Sequence, residues 1–191
     1  MAKNKKCIPL DLSRKFKIKV DLDGKIQYLN PYFSEFTSYS IADLILKDLS
    51  KIFDEDMPKI SFDILMNEIE QNPKSYFVFK GKMKDEGCYW GFLRSTQRLA
   101  NNEIIGYDLE IKLLPQNAIK PFENLYSIVN EIEKNVGKKA SEKYIEGFLE
   151  EKQMDFKDFV LKTIEINEKK ADKYFSIDTD EETKKKKKSW F

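Results

Sequence analysis

Apolar and polar residues alternate at the start of the chain in the pattern of a β-hairpin. Apolar side chains separated by Lys and Asp run from Phe16 to Leu22, and the apolar pattern resumes at Ile26 after the dipeptide Asp23-Gly24. Alternate residues of a strand face the same side, and an Asp-Gly pair between two such runs is a strong turn signal. The segment therefore predicts two antiparallel strands.

Helical signals replace this alternation after the hairpin. Pro31 suits the first turn of a short helix, and Ser40 is placed to cap a second one. A longer helix is predicted from Asp56, which can cap its start, to Asn72, which precedes a proline. Its apolar stripe has the i, i+3, i+4, i+7 spacing and consists of Phe62, Leu65, Met66 and Ile69.

Three further alternating segments follow at residues 75–84, 88–99 and 104–114, separated by polar turns. Consecutive strands that are joined by short turns form an antiparallel meander. Two strands, several helices and three strands together predict an α+β fold, with a five-stranded antiparallel sheet and short helices on one face.

No strand pattern appears after Pro115, and amphipathic segments at 122–135, 141–152 and 155–166 predict a helical extension. Narrow apolar stripes of this kind need a partner surface. We divide the chain into a flexible N-terminal arm (1–15), a central domain (16–115), a helical extension (116–170) and a disordered charged tail (171–191).

Charge and composition exclude several classes of function. The 34 basic and 33 acidic residues leave a net charge of +1, which argues against a nucleic-acid surface. The chain has no histidine, and this excludes His-ligated haem, most catalytic zinc sites and His-based triads.

The two cysteines, Cys7 and Cys88, have no metal-ligand spacing and no disulfide framework. The apolar neighbours of Cys88 indicate a half-buried structural thiol, and a reducing cytoplasm is the simplest compartment. We find no signal-peptide core and no apolar stretch long enough to span a membrane, so we expect a cytoplasmic protein.

The ordered set of motifs resembles the PAS sensor family, and more closely the aerotaxis-receptor group of bacterial energy-taxis proteins. The resemblance covers roughly residues 16–114. It is carried by the segments DLDGKIQYLNPYF (21–33), DMP (56–58), GCYW (87–90) and GY (106–107). The helical remainder resembles the extension of stand-alone members that partner a separate membrane receptor.

The resemblance implies that the sheet and short helices enclose a pocket that holds FAD, whose redox state alters packing against a partner. Tyr76 and Trp90 would then form a stacking wall for the flavin, and Asn30 would bond the ligand. The residues alone leave alternatives open, because large aromatics also fill cores and Asn30 is equally suited to cap a helix.

The segment Phe53-Asp54-Glu55 differs from the family pattern, which has Arg-His-Pro before the DMP motif. Phe53, Asp54 and Asp56 are the candidate cofactor contacts here, yet two carboxylates in place of a basic pair would repel a pyrophosphate. The acidic cluster can instead complement a helix dipole. It has no partner base, so we predict no enzyme.

Two functions therefore remain open. One is a cytosolic PAS signal-transduction module that senses redox state or a small ligand and relays it by protein contact to a chemotaxis receptor. The other is a degenerate PAS adaptor without cofactor, whose pocket positions are packed by Phe53, Phe79, Phe92 and Leu109. The resemblance also implies either a homodimer or a heteromer with a receptor. The lysines at 184–188 suit weak contact with an anionic membrane, unless they form a solvated tail neutralised by neighbouring acids.

Overall fold

A five-stranded antiparallel sheet forms the centre of the protein, in a computed structural model that describes residues 7–177. The strand order is β2-β1-β5-β4-β3, so the first hairpin lies beside the last strand. The strands are β1 (Phe16–Val20), β2 (Ile26–Leu29), β3 (Lys74–Lys82), β4 (Cys88–Ala100) and β5 (Glu103–Leu113). The predicted α+β architecture is confirmed.

Short helices cover one face of this sheet, which we call the inner face. They are α1 (Pro31–Thr37), α2 (Ile41–Leu44), a 3₁₀ turn (Leu49–Ile52) and α3 (Ile60–Gln71). Phe16 of β1 packs edge-on against Phe33 of α1 and Tyr89 of β4, with ring centroids 4.9 and 5.5 Å away. These aromatic contacts link α1 to β1 and β4 across the inner face.

The helical extension wraps around the β3 edge of the sheet, and its first and last helices cover the opposite, outer face over β3 and β4. Its helices are α4 (Gln116–Asn135), α5 (Lys138–Lys152), α6 (Phe156–Ile164) and α7 (Glu168–Ser176). Trp90 stacks on Tyr126 of α4, and Phe92 lies 5.0 Å from Phe175 of α7 between ring centroids. The sheet therefore lies between two helical layers.

Helix α7 differs from the domain boundaries expected from sequence. The tail was expected to be disordered from residue 171, but α7 continues through Ser176 and buries Ala171 and Phe175. Its sequence is too polar for the apolar pattern to reveal it. Residues 178–191, including the lysines at 184–188, lie outside the described residues, as do residues 1–6.

The start of α3 also differs from expectation. The helix begins at Ile60, and Asp56 does not cap it. Glu133 of α4 instead accepts the backbone N–H groups of Lys59 and Ile60, at 2.9 and 3.0 Å. A carboxylate at a helix N-terminus is stabilising wherever it comes from in the chain.

The cysteines form a disulfide, so the prediction of two separate thiols is wrong. Cys7 and Cys88 are bonded across 81 residues of sequence, and Cys88 is fully buried rather than half-buried. The bond joins the N-terminal arm to the first residue of β4. Part of the arm is thus held against the domain.

Tyr89 crosses the neighbouring strand at Gly81, its partner in the β3–β4 register. A Cβ atom at Gly81 would lie 2.1 Å from Cζ of the Tyr89 ring. Because the ring is fully buried, it cannot move aside without displacing the aromatic layer.

We predict that Gly81→Ala lowers the free energy of unfolding by about 2–3 kcal/mol, measured by chemical denaturation, because the added methyl group overpacks this layer. Gly147→Ala is the matched control, since its added Cβ meets no atom within 4 Å and it lies inside α5. The control should gain about 0.5–1 kcal/mol from helix propensity. An equal response in the two variants would contradict the close approach of Tyr89.

Candidate functional site

The six candidate site residues do not form one site. The register places Tyr76 and Trp90 on the outer face, whereas Phe53 packs on the inner face. Trp90 lies opposite Lys80, four positions along β3 from Tyr76. Tyr76 and Trp90 therefore do not form the expected stacking wall.

Each of these two aromatics packs into the outer layer. Tyr76 stacks on Phe92 with ring centroids 5.8 Å apart, and its hydroxyl donates to Asp172 of α7 at 3.4 Å. Burial and the nearby Asp172 carboxylate raise the pKa of Tyr76. Trp90 lies parallel to Tyr126, whose hydroxyl donates to the Val78 carbonyl at 2.5 Å.

The side chain of Asn30 hydrogen-bonds to the backbone at the junction between the N-terminal arm and β1. Its Oδ1 accepts the Lys17 N–H at 2.9 Å, and its Nδ2 donates to the Lys15 carbonyl at 3.0 Å. It occupies the N-cap position of α1, but its side chain makes no capping bond. The Asn30 side chain therefore bonds the backbone of residues 15 and 17 and does not cap α1.

The inner layer is packed where a PAS pocket was expected. Phe53 stacks on Phe79 with centroids 5.1 Å apart, and Tyr89 meets Phe79 edge-on at 5.8 Å. Leu109 is buried on the same face. Phe92 is also buried, but it belongs to the outer face.

A flavin does not fit this layer as it is packed. The rings of Phe16, Phe53, Phe79 and Tyr89 occupy the space between the sheet and the inner helices. A tricyclic ring system would have to displace several of these side chains. Phe53, Asp54 and Asp56 likewise present no cation to a pyrophosphate.

The acidic cluster is paired with Lys80. Its ammonium lies 2.5 Å from an Asp56 oxygen and 3.8 Å from the buried carboxylate of Asp54. The Asp54 backbone N–H also donates to the Lys80 carbonyl at 2.9 Å. The cluster thus fastens the segment before α3 to the edge of β3.

Asp56 and Trp90 both line a surface cleft of about 620 Å³ beside α4. Tyr126, Asn130 and Lys134 form the α4 wall of this cleft. A neighbouring cleft of about 820 Å³ includes Phe53 and Asp54. Both clefts are bordered by α4. Together they contain four of the six candidate site residues, two in each cleft.

The outer face carries a charged site that sequence reasoning missed. Four cations hold α7, and we call them the α7 clamp: Lys15, Lys74, Arg94 and Lys112. Lys74 and Arg94 lie 2.8 and 3.1 Å from Asp172. These contacts lower the pKa of Asp172, chiefly through Lys74.

The other two cations bind the carboxyl end of α7. Lys112 is fully buried, and its ammonium donates to the carbonyls of Tyr174 and Ile177 at 3.1 and 2.9 Å. Lys15 donates to the Phe175 carbonyl at 2.7 Å. Cations at a helix C-terminus are stabilised by the helix dipole and satisfy its free carbonyls.

Several buried hydroxyl groups have no hydrogen-bond partner among the described residues, and those of Ser61, Ser95 and Tyr89 lie in or beside the inner layer. The Tyr89 hydroxyl is completely buried and has no hydrogen-bond partner among the described residues. Burial raises the pKa of Tyr89, with a smaller effect from the nearby Tyr39. An unpaired buried hydroxyl costs about 1–3 kcal/mol.

Comparisons with known proteins support the fold. No family model matches the chain, and no curated protein matches it. A light-oxygen-voltage domain studied with a flavin analogue superimposes with a TM-score of 0.51 at 14% identity, over 58% of this chain and 84% of its own. The light-state Aureochrome1 LOV domain gives 0.49 at 14% identity, over 59% and 89%.

A PAS domain from Colwellia psychrerythraea gives a TM-score of 0.45 at 15% identity, over 52% of this chain and 85% of its own. The first of these similarities shows that the chain has the fold of PAS and light-oxygen-voltage domains. In residues 7–177, no helix has both the length and the apolarity needed to cross a membrane. The same residues contain no acidic or Cys cluster arranged to hold a metal ion.

We predict that Tyr89→Phe raises the free energy of unfolding by about 1 kcal/mol, because it removes an unpaired buried hydroxyl. Tyr126→Phe is the matched control and should lose about 1 kcal/mol, since its hydroxyl bonds the Val78 carbonyl. Chemical denaturation measures both. Destabilisation by Tyr89→Phe would mean that a bound molecule pairs with this hydroxyl.

Acid should loosen α7 through Asp172. Because the folded-state pKa of Asp172 is lowered, its contribution is present above the ordinary value of 3.8 and is lost as the pH falls below it. We expect the NMR shifts of α7 amides to stay constant from pH 6 down to about 4 and to move as the pH falls further below 3.8. In Asp172→Asn they should already be moved at pH 6.

Asp43→Asn is the control for this titration. Asp43 pairs with Lys84 next to α2, and this contact lowers its pKa to about 2. The Asp43→Asn substitution should leave the NMR shifts of the α7 amides and their pH dependence unchanged. An α7 titration that persists in Asp172→Asn would show that another group controls the docking.

Proposed function

We propose that this chain is a signal-transduction module that acts by protein contact, with α7 as its exchangeable element. The observation that carries the proposal is the way α7 is held. This nine-residue helix buries Ala171 and Phe175, and the α7 clamp supplies most of its polar contacts. Contacts of this kind can be exchanged for those of a competing partner.

The partner surface would be the outer face beneath α7. Phe92 and Arg94 lie under Phe175, with ring centroids 5.0 Å apart and the guanidinium 4.8 Å from the ring. Glu110 pairs with both Arg94 and Lys15. A partner helix with one aromatic and one or more acidic residues would satisfy the same groups.

The packed inner layer favours the adaptor form of this module, without a cofactor. The stack of Phe53 on Phe79 fills part of the inner layer, in which the resemblance implies a ligand pocket. Following the resemblance, we propose a cytoplasmic chemotaxis or energy-taxis receptor as the partner. A homodimer through the flanking helices, and weak membrane contact by the lysines at 184–188, belong to the same proposal.

One observation favours a second candidate, a sensor that binds a small molecule in the inner layer. The unpaired Tyr89 hydroxyl would gain a partner from such a ligand. Flavin is the ligand suggested by the similar light-oxygen-voltage domain, whose study used a flavin analogue. FAD would require the aromatic layer to open.

Two measurements on the purified full chain test these functions. We expect the absorbance spectrum to show no flavin bands, before or after reduction. We also expect a titration with a chemoreceptor cytoplasmic domain to show binding that tightens about tenfold in Phe175→Ala, because the docked helix then competes less well.

Ile128→Ala is the control, since Ile128 is an exposed residue of α4 away from the clamp. Its affinity should match that of the unmodified chain. Flavin bands that bleach on reduction would contradict the adaptor function and support the sensor function. Failure of both the unmodified chain and Phe175→Ala to bind would remove the receptor as the partner.

A further inference from the structure

The disulfide between Cys7 and Cys88 fastens residues 7–14 to the start of β4. We propose that this bond is a reversible thiol site, a latch that releases residues 7–14 when a cellular dithiol reduces it. The latch concerns the N-terminal arm rather than α7. It would operate whether or not α7 proves to be the exchangeable element.

The attachments of residues 7–14 cluster on α1 and on Cys88. The Ile8 N–H donates to the Cys88 carbonyl at 2.7 Å, and the Asp11 N–H donates to the Tyr32 hydroxyl at 3.1 Å. Arg14 lies over the Tyr32 ring at 3.8 Å and pairs with Glu35. The arm thus covers one side of α1.

Apolar burial in this segment is small. Leu10 is buried, whereas Ile8 and Leu12 are exposed. Exposed ion pairs such as the one between Arg14 and Glu35 contribute little to stability. Because ordering eight residues of chain costs considerable conformational entropy, these contacts alone hold the arm weakly and the covalent bond decides its position.

The two bonded cysteines differ in burial. Cys7 is partly exposed, while Cys88 is fully buried at the start of β4. A dithiol is therefore expected to attack Sγ of Cys7. Thiol–disulfide exchange requires direct approach to one sulfur, and we place this attack at Cys7, the less buried of the two residues.

The exchange proceeds in two steps that balance. A thiolate of the dithiol attacks Sγ of Cys7, forms a mixed disulfide and releases the Cys88 thiolate, which takes up a proton. The second thiol of the reductant then attacks the mixed disulfide and releases Cys7, which is also protonated. Two electrons and two protons pass to the chain, and the reductant leaves as its own disulfide.

Release should stop at Lys15. Asn30 bonds the Lys15 carbonyl and the Lys17 N–H, so β1 stays paired when the arm leaves. Lys15 consequently keeps its place in the α7 clamp. Reduction is expected to uncover the side of α1 that carries Tyr32, and to leave both helical layers in place.

The experiment follows amide hydrogen exchange in the oxidised full chain before and after treatment with reduced thioredoxin. We expect exchange of residues 8–14 to become at least tenfold faster, with β4, β5 and α7 unchanged, and to slow again on reoxidation. In Cys7→Ser the same residues should exchange at the fast rate under both conditions. Cys7→Ala provides a second variant if the serine protein is unstable.

Three results would overturn the latch. Unchanged exchange of residues 8–14 after full reduction would show that noncovalent contacts hold the arm. Faster exchange throughout β4 and β5 would show that the disulfide stabilises the whole domain rather than only holding the arm. Resistance of the folded chain to thioredoxin, judged by thiol titration, would show that the bond is not reversible.

Discussion

Strands β3 and β4 bury side chains on both faces, and this constraint shapes the rest of the molecule. Along β3, Phe77 and Phe79 lie on the inner side, where Phe79 meets Phe53 and Phe77 stacks on Phe156 of α6, while Tyr76 and Val78 face outward. A sheet that is apolar on both sides must be covered on both sides. The inner helices can cover one face, so the other requires the helical extension.

The extension meets this need with aromatic and polar contacts together. Tyr126 stacks on Trp90 and also bonds the Val78 carbonyl, which lies at the free edge of the sheet. Glu133, two turns further along α4, caps the start of α3 on the inner side. One helix thereby connects the two layers around the edge of β3.

Different interactions attach the two ends of the described chain, α7 and residues 7–14, to the domain. Helix α7 is held by charge together with two buried apolar side chains, since Lys112 and Asp172 supply polar contacts and Ala171 and Phe175 are fully buried. Residues 7–14 depend on a covalent bond. Lys15 stands between them, since it continues from the arm and also binds the last turn of α7. The two attachments can therefore change independently only because Asn30 fixes Lys15.

The sequence by itself determined the strand and helix order, because alternation, helical spacing and the Asp-Gly turn are local signals. It also indicated the aromatic residues of the core, although not their faces. The tertiary structure decided which candidates meet: Phe53 with Phe79, Trp90 with Tyr126, and Cys7 with Cys88. It also decided that α7 is ordered and that Glu133 caps α3. These outcomes depend on contacts between residues far apart in the chain, and such contacts leave no periodic pattern in the sequence.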